Sequence, residues 1–239
     1  MGLYFGTDGL RGKVNDELSY DIAYRVGNSL GALRPRARVI IGRDTRSSGS
    51  MLTMAVAAGL TNAGASVTII GVCPTAGVSF LTKELGFDFG IVISASHNPP
   101  EFNGIKIFNK YGNKVGDKIE GDIERRFLHQ ITCGPTEIGN CTFLPKIVDI
   151  YVDFLVKSAK RNLNGLKIVL DCANGAAYKI APKVFKRLGA KVVTKSKTPN
   201  GNNINEGCGA LHIDQLQKSV IKSNADIGFA FDGDSDRVI

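Results

Sequence analysis

Residues 38–93 read RVIIGRDTRSSGSMLTMAVAAGLTNAGASVTIIGVCPTAGVSFLTKELGFDFGIVI. Three short apolar runs in this stretch, Arg38–Gly42, Ser66–Ile70 and Phe89–Ile93, alternate with two longer segments of helical character. Continuous apolar runs of this length are typical of strands that are buried on both faces of a sheet. The alternation of such strands with helices predicts an α/β fold with parallel strands.

The segment 47–82 contains no charged residue, which could indicate a membrane span. Polar residues and turn formers interrupt it at Thr61, Asn62, Gly64 and Pro74. We therefore interpret the segment as a buried helix, a glycine turn and a strand, and we expect no membrane association.

The same pattern returns in the second half of the chain. The apolar runs Leu166–Leu170, Lys191–Thr194 and Ile227–Phe231 are again separated by helical segments, and residues 132–146 between the halves lack a clear period. This approximate repeat predicts two similar α/β domains, at 1–143 and 144–239, joined by a linker. Ligands of such sheets bind beyond the carboxyl ends of the strands, so the loops that follow the strands are the candidate binding loops.

Composition limits the functional classes only loosely. The chain has 239 residues, an apolar fraction of 43% and a formal net charge of +8, which suit one large or two modest globular domains with an anionic partner. The basic residues form no run interleaved with aromatic residues, so nucleic-acid binding is not indicated. No signal peptide is visible, and the scattered cysteines predict reduced thiols in the cytoplasm. These cysteines are Cys73, Cys133, Cys141, Cys172 and Cys208.

The first chemically informative loop follows the third strand and reads Ser94-Ala-Ser-His-Asn-Pro-Pro100, with Asn-Gly-Ile-Lys at 103–106. Two prolines exclude regular structure here, and the turn can hold one serine oxygen at the sheet edge. Such a serine is a nucleophile if a neighbour activates it. Ser96 and His97 are adjacent, so their side chains diverge and a serine–histidine pair is not implied. The alternative is a polar turn capped by serine and asparagine.

The second loop, Asp-Gly-Asp-Ser-Asp-Arg at 232–237, follows the last strand. Carboxylates at Asp232, Asp234 and Asp236 repel one another unless a cation neutralises them, and oxygen ligands favour Mg²⁺ or Ca²⁺. An EF-hand is excluded, because its sixth position requires glycine and Arg237 stands there. A solvated acidic turn is the alternative, which the preceding apolar strand disfavours. Phosphoryl transfer needs an acceptor oxygen, a divalent ion and cationic groups, and Arg11, Lys106 and Arg237 suit the last role.

Four motifs, in their order along the chain, resemble those of the α-D-phosphohexomutase superfamily. They are the serine loop 94–99 with 103–106, the aspartate loop 232–237, Phe-Gly-Thr-Asp-Gly-Leu-Arg-Gly at 5–12 and Gly-Arg-Asp-Thr-Arg at 42–46. The last two are more similar to the phosphoglucosamine mutase branch than to the phosphomannomutase or phosphoglucomutase branches. The resemblance implies two repeated three-layer α/β/α domains with mixed, mostly parallel sheets.

The resemblance also implies roles for single residues. Ser96 matches the serine that carries the phosphoryl group, and Asp232, Asp234 and Asp236 match the Mg²⁺ ligands, with the phosphoserine completing the site. Arg11, His97, Lys106 and Arg237 match residues around the phosphoserine, and Lys106 is a candidate for proton transfer or charge stabilisation. The implied reaction interconverts glucosamine 6-phosphate and glucosamine 1-phosphate through glucosamine 1,6-bisphosphate, for amino-sugar nucleotide and cell-wall precursor synthesis.

Members of this superfamily have four domains, and the resemblance covers the first and most of the second. The third and fourth domains, which carry the sugar loop and a phosphate site, are expected to be missing, so the chain alone is expected to lack turnover. Two other interpretations stay open: a Mg²⁺-dependent phosphatase that is phosphorylated on Asp232, and a non-catalytic module that binds phosphosugar or metal.

Overall fold

A computed structural model describes residues 5–6, 9–129 and 137–239 of the chain. These residues form two sheets. The first has the strand order β1-β2-β6-β5-β3-β4-β7, and the second has the order β10-β8-β9. The strands of the first sheet are β1 (Phe5–Gly6), β2 (Gly9–Lys13), β3 (Arg38–Arg43), β4 (Ser66–Val72), β5 (Phe89–Ile93), β6 (Phe102–Asn109) and β7 (Cys141–Phe143). Those of the second are β8 (Lys167–Asp171), β9 (Lys191–Lys195) and β10 (Ile227–Ala230).

Helices cover both faces of these sheets. In chain order they are α1 (Tyr20–Leu33), α2 (Ser48–Asn62), α3 (Thr75–Glu84), α4 (Asp117–Leu128), α5 (Val148–Ser158), α6 (Ala177–Arg187) and α7 (Asp214–Ser223). Short 3₁₀ turns lie at Pro145–Ile147 and Gly209–Leu211. No helix in the described ranges is both long and apolar enough to cross a membrane.

The centre of the first sheet explains its apolar sequence. Strand β3 pairs in parallel with β4 on one side and β5 on the other. Successive side chains of a strand point to opposite faces, so Val39 and Ile41 pack with helices α1 and α2, whereas Ile40 packs with α3. All three side chains are fully buried. The three-layer α/β/α arrangement implied by the resemblance is confirmed.

Two strands of the first sheet lie where the sequence indicated loop or linker. Residues 103–106 belong to β6, which pairs antiparallel with β5 and makes the sheet mixed. Its buried polar residues, Asn103 and Lys106, interrupt the apolar pattern from which a strand would be predicted. Residues 141–143, expected within the linker, form the edge strand β7, which pairs with β4 although its side chains are exposed. The part of that linker at 132–136, including Cys133, lies outside the described residues.

The second sheet repeats the core of the first. Strand β8 lies between β9 and β10, and all pairings are parallel, as β3 lies between β4 and β5. Its two faces are covered by α6, against Ile168 and Leu170, and by α7, against Val169. Helix α5 contacts both halves, because Tyr151 packs into the cluster under α3 and Val152 packs against α6. The division at residues 143 and 144 stays a prediction.

Candidate active site

The serine loop begins where β5 ends, at the carboxyl edge of the parallel strands. Ser96 is fully buried and adopts a left-handed backbone conformation with φ of 52°. Its amide donates a hydrogen bond to Oγ of Ser94 over 2.9 Å. Its hydroxyl donates to Oδ2 of Asp232 over 2.7 Å. The loop thus directs a serine oxygen at the aspartate loop of the second sheet.

The aspartate loop follows β10 and gathers its carboxylates. Asp232, Asp234 and Asp236 each offer an oxygen atom within 4.8 Å of the others. The first two residues are buried and the third is exposed. Oδ1 of Asp234 is buried without a hydrogen-bond partner among the described residues. A buried carboxylate oxygen left in this way suits a cation ligand, because burying an unpaired charge is costly.

Two donors from the first half of the chain hold the other oxygen of Asp234. Lys106, on β6, is buried, and its Nζ lies 3.2 Å from Oδ2 of Asp234 and 3.6 Å from Oδ2 of Asp236. Thr75, at the start of α3, donates its hydroxyl to the same Oδ2 of Asp234 over 2.5 Å. Both donors bind Oδ2, so that Oδ1 stays available to a cation.

The proton affinities of the aspartates diverge. Burial, reinforced by the negative charge of Asp234, raises the pKa of Asp232 to about 6. Burial alone would also raise the pKa of Asp234, but the ammonium of Lys106 and the hydroxyl of Thr75 bring this pKa below its ordinary value. The pair therefore contains one carboxylate that is ionised well below neutral pH and one that takes up a proton at about pH 6 when no cation is present.

The remaining predicted cationic residues surround the mouth of this site. Nη2 of Arg237 lies 2.8 Å from Nδ1 of His97, and its Nε lies 3.6 Å from Oδ1 of Asp236. Arg11 lies on β2, opposite Gly104 of β6. Partial burial, together with the charges of Arg237 and Arg11, lowers the pKa of His97, so that imidazole is neutral at physiological pH.

The structure also brings residues to the site that the sequence interpretation did not select. Thr75 contacts Asp234, and Asn205 donates from Nδ2 to the carbonyl oxygen of Ser96 over 2.9 Å. Asp44 and Arg46 are fully buried beneath the serine loop. A usable signal existed for three of these residues, since 44–46 follow β3 and Thr75 follows β4 at the same sheet edge as Ser96.

Glycine contacts explain how closely the three loops approach. A Cβ atom on Gly175, in the loop after β8, would lie 2.3 Å from the carbonyl oxygen of Gly233. A Cβ on Gly233, between the first two aspartates, would lie 2.5 Å from the carbonyl oxygen of Ser96. Both distances are too short for a real side chain, so only glycine permits this stack of loops.

The arrangement can hold a hard divalent cation and a phosphoryl group together. Its ligands are all oxygen atoms, which Mg²⁺ and Ca²⁺ prefer, and a serine hydroxyl lies beside them. Cationic side chains on the opposite side are positioned to balance the charge of a bound phosphate. These are the parts that phosphoryl transfer requires.

Comparison with known proteins identifies the family of the chain. The family model for the phosphoglucomutase/phosphomannomutase α/β/α domain I matches residues 2–132, and that for domain II matches residues 149–239. The chain is similar to proteins called phosphoglucosamine mutase from Clostridioides difficile, at 47% identity over 100% of this chain and 55% of the relative, and from Deinococcus deserti, at 49% identity over 99% and 55%.

A solved structure shares the fold. The phosphoglucomutase/phosphomannomutase family protein from Burkholderia thailandensis superposes with a TM-score of 0.85 at 31% identity, over 98% of this chain and 53% of that one. The chain spans about half the length of the curated relatives it matches. Because the two domain models together account for most of its residues, the chain belongs to the phosphoglucomutase/phosphomannomutase family.

Proposed function

We propose that this chain is the phosphoryl-transferring part of a phosphosugar mutase that interconverts glucosamine 6-phosphate and glucosamine 1-phosphate. The observation that carries the proposal is the 2.7 Å hydrogen bond from the Ser96 hydroxyl to Asp232, within a cluster of carboxylates that faces Lys106. The glucosamine substrate rests on similarity to relatives called phosphoglucosamine mutase at 47% and 49% identity.

Ser96 is the proposed phosphoryl carrier. Phosphorylated Ser96 gives its phosphoryl group to the sugar 1-hydroxyl, so that the bond from phosphorus to Oγ breaks and a bond to the sugar oxygen forms. The hydroxyl proton of the sugar returns to Oγ of Ser96, and the product is glucosamine 1,6-bisphosphate. After the bisphosphate turns around, the bond from phosphorus to the sugar 6-oxygen breaks and a bond to Oγ of Ser96 forms. The hydroxyl proton of Ser96 passes to the 6-oxygen, which regenerates the phosphorylated enzyme and leaves glucosamine 1-phosphate.

The aspartate loop is the proposed Mg²⁺ site. Asp232, Asp234 and Asp236, with an oxygen of phosphoserine 96, would hold the ion, and the unpartnered Oδ1 of Asp234 fits that role. A bound Mg²⁺ would supply positive charge that offsets the phosphoryl oxygens during transfer. Thr75 and Lys106 contribute by fixing the opposite oxygen of Asp234.

The cationic residues have separate proposed tasks. Lys106, buried against Asp234 and Asp236, would stabilise charge on the transferring group or move the proton between sugar and serine. His97, Arg237 and Arg11 would bind phosphate oxygens at the mouth of the site. The neutral imidazole of His97 can donate a hydrogen bond from Nε2 to a phosphate oxygen and accept one at Nδ1 from Arg237.

Two further points belong to the proposal. The chain spans about half the length of its relatives, and we propose that further domains bind the sugar and its second phosphate, so residues 1–239 alone would not turn over. We also propose a cytoplasmic location, which free thiols at Cys73, Cys141, Cys172 and Cys208 support.

Phosphate mapping tests the function. The purified protein is incubated with Mg²⁺ and glucosamine 1,6-bisphosphate, and phosphorylated residues are identified by mass spectrometry, with Ser96→Ala as the control. We expect phosphate on Ser96 in the native sequence and none in the variant. Phosphate on Asp232 would indicate the phosphatase instead, and binding without any phosphorylation would indicate a non-catalytic module.

Substrate choice needs a second assay on the protein as its gene encodes it, including any sequence beyond Ile239. Rates with the 6-phosphates of glucosamine, mannose and glucose are compared at equal activator concentration. Preference for glucosamine 6-phosphate supports the proposal, whereas preference for mannose or glucose 6-phosphate would assign the chain to a phosphomannomutase or phosphoglucomutase.

A further inference from the structure

An ion pair lies fully buried beneath the serine loop. Nε of Arg46 donates to Oδ2 of Asp44 over 2.9 Å, and both side chains are inaccessible to solvent. Neither residue touches the carboxylate cluster. We propose that Asp44 and Arg46 are positioning residues that fix the backbone of Ser96, and so the direction of its Oγ, for phosphoryl transfer. The proposal rests on the proposed role of Ser96.

The guanidinium of Arg46 donates hydrogen bonds to four carbonyl groups within residues 96–102. Nη2 donates to the carbonyl oxygens of Ser96, over 2.9 Å, and Asn98, over 2.8 Å. Nη1 donates to those of Pro99 and Phe102. With Nε on Asp44, each N–H of the side chain has an acceptor, and a guanidinium has no further donor to offer. One side chain thereby ties together residues 96–102.

Asp44 holds the amide side of Ser96. Its Oδ2 accepts the hydroxyl of Ser94 over 2.6 Å, and Oγ of Ser94 accepts the amide of Ser96 over 2.9 Å. The amide of Ser96 is therefore fixed through Ser94, and its carbonyl group is fixed through Arg46. Asn205 adds a second donor to that carbonyl group.

These constraints are what the conformation of Ser96 requires. A non-glycine residue in the left-handed region is uncommon and persists where its surroundings over-determine it. If either link is lost, Ser96 is free to return to an ordinary conformation, and its Oγ moves away from Oδ2 of Asp232. The backbone strain thus lies in the residue whose Oγ would accept the phosphoryl group.

A purely stabilising role explains the pair less well. Burying two charges costs desolvation, and apolar residues of similar volume often give an equally stable fold. An apolar pair, however, would remove the Arg46 donors from the carbonyl groups of Ser96, Asn98 and Phe102, and Asn205 would remain as a donor to the first two alone. Lysine cannot substitute either, because it has three donors on one atom and no planar fork.

The test compares Arg46→Lys and Ser94→Ala with a matched control, Thr82→Val. Thr82 is also fully buried; its hydroxyl donates to the carbonyl oxygen of Val78 within α3, and its side chain packs against Gly90 of β5. All variants are made in the protein as its gene encodes it. Two properties are measured: phosphoryl transfer between Ser96 and glucosamine 6-phosphate in a single turnover, and hydrogen exchange of the backbone amides at 95–102.

We expect Arg46→Lys to slow single-turnover transfer about 100-fold, while the glucosamine 6-phosphate concentration that gives half the maximal rate changes by less than roughly threefold, because a displacement near 1 Å suffices for such a loss. Ser94→Ala should slow transfer about tenfold, and Thr82→Val by less than about twofold. Amide exchange at 95–102 should rise at least about tenfold in the first two variants, while exchange in β5 and β8 stays unchanged.

The outcomes separate the possible failures. Transfer within about twofold of the native rate in a folded Arg46→Lys or Ser94→Ala protein would overturn the proposal. If Arg46→Lys does not fold, Ser94→Ala, which retains the ion pair, decides alone. If the native protein transfers no phosphate, the proposed function fails, and the exchange data decide: unchanged exchange at 95–102 in Ser94→Ala would refute the positioning role.

Discussion

The contact between Gly233 and Ser96 allows the loop arrangement to be tested by a single methyl group. In Gly233→Ala the new Cβ would lie 2.5 Å from the carbonyl oxygen of Ser96 and 2.9 Å from Nδ2 of Asn205. The backbone of Gly233 does not occupy the left-handed region, so alanine can adopt it without torsional strain. The substitution therefore tests only the close approach of the two loops.

The size of the effect follows from the distance. Carbon–oxygen contacts in proteins lie at about 3.3–3.6 Å, so the serine loop must retreat by about 0.8 Å or more. Such overpacking costs about 1–3 kcal/mol of stability. The hydrogen bond from Ser96 to Asp232, now 2.7 Å, would lengthen to about 3.5 Å, beyond useful range. A displacement near 1 Å at a reacting atom slows transfer by about 100-fold.

The assay measures Ser96 phosphorylation by glucosamine 1,6-bisphosphate, with unfolding by urea followed in parallel. Gly121→Ala is the matched control, because a Cβ there meets nothing within 4 Å and the residue lies in helix α4. It should raise stability by about 0.5–1 kcal/mol and leave transfer unchanged. A Gly233→Ala protein that is phosphorylated at the native rate would refute the reasoning, because the loops would then tolerate a separation that the geometry forbids.

Three other predictions concern the carboxylate cluster. In the cation-free protein the fold raises the pKa of Asp232 to about 6, so the native state binds the extra proton. The free energy of unfolding should then fall as pH rises from about 4 to 6, by at most about 3 kcal/mol, and urea titrations with EDTA should show this slope flattened in Asp232→Asn. Lys106→Met leaves Asp234 without its ammonium partner and should slow Ser96 phosphorylation about 100-fold, whereas the exposed control Lys110→Met should not slow it. Equal phosphorylation rates in these two variants would contradict the role of Lys106. Thr75→Val removes a 2.5 Å hydrogen bond to Asp234 and should weaken Mg²⁺ binding about tenfold by calorimetry, and unchanged affinity would show that this bond does not orient the ligand.

The sequence was most informative where burial alone determines the structure. The apolar runs at Ile91–Ile93 and Ile168–Leu170 predict central strands because both faces of these strands are covered. Ser96 lies in the loop after the first of these strands, and the aspartates follow β10, which pairs with the second. Strand β6 was missed because its buried Lys106 finds its partner on residue 234, at a separation that no local pattern records.

The supporting residues of the site were missed for the same reason. Arg46 was part of a recognised motif, yet the four carbonyl oxygens that accept its hydrogen bonds lie 50 to 56 residues further along the chain. Thr75 contacts a residue that is 159 positions away. The chemistry of a carboxylate or serine is visible in its own side chain, whereas the role of a supporting residue exists only in the folded contact.

Helix α5 has a consequence for how the protein unfolds. Its Tyr151 completes the apolar cluster of the first sheet, and its Val152 completes a cluster on α6 of the second. Unfolding of either half would therefore expose apolar surface that belongs to the other, so the two halves should melt as one cooperative unit. The serine and its aspartates, although they come from different sheets, would be lost together at the same temperature.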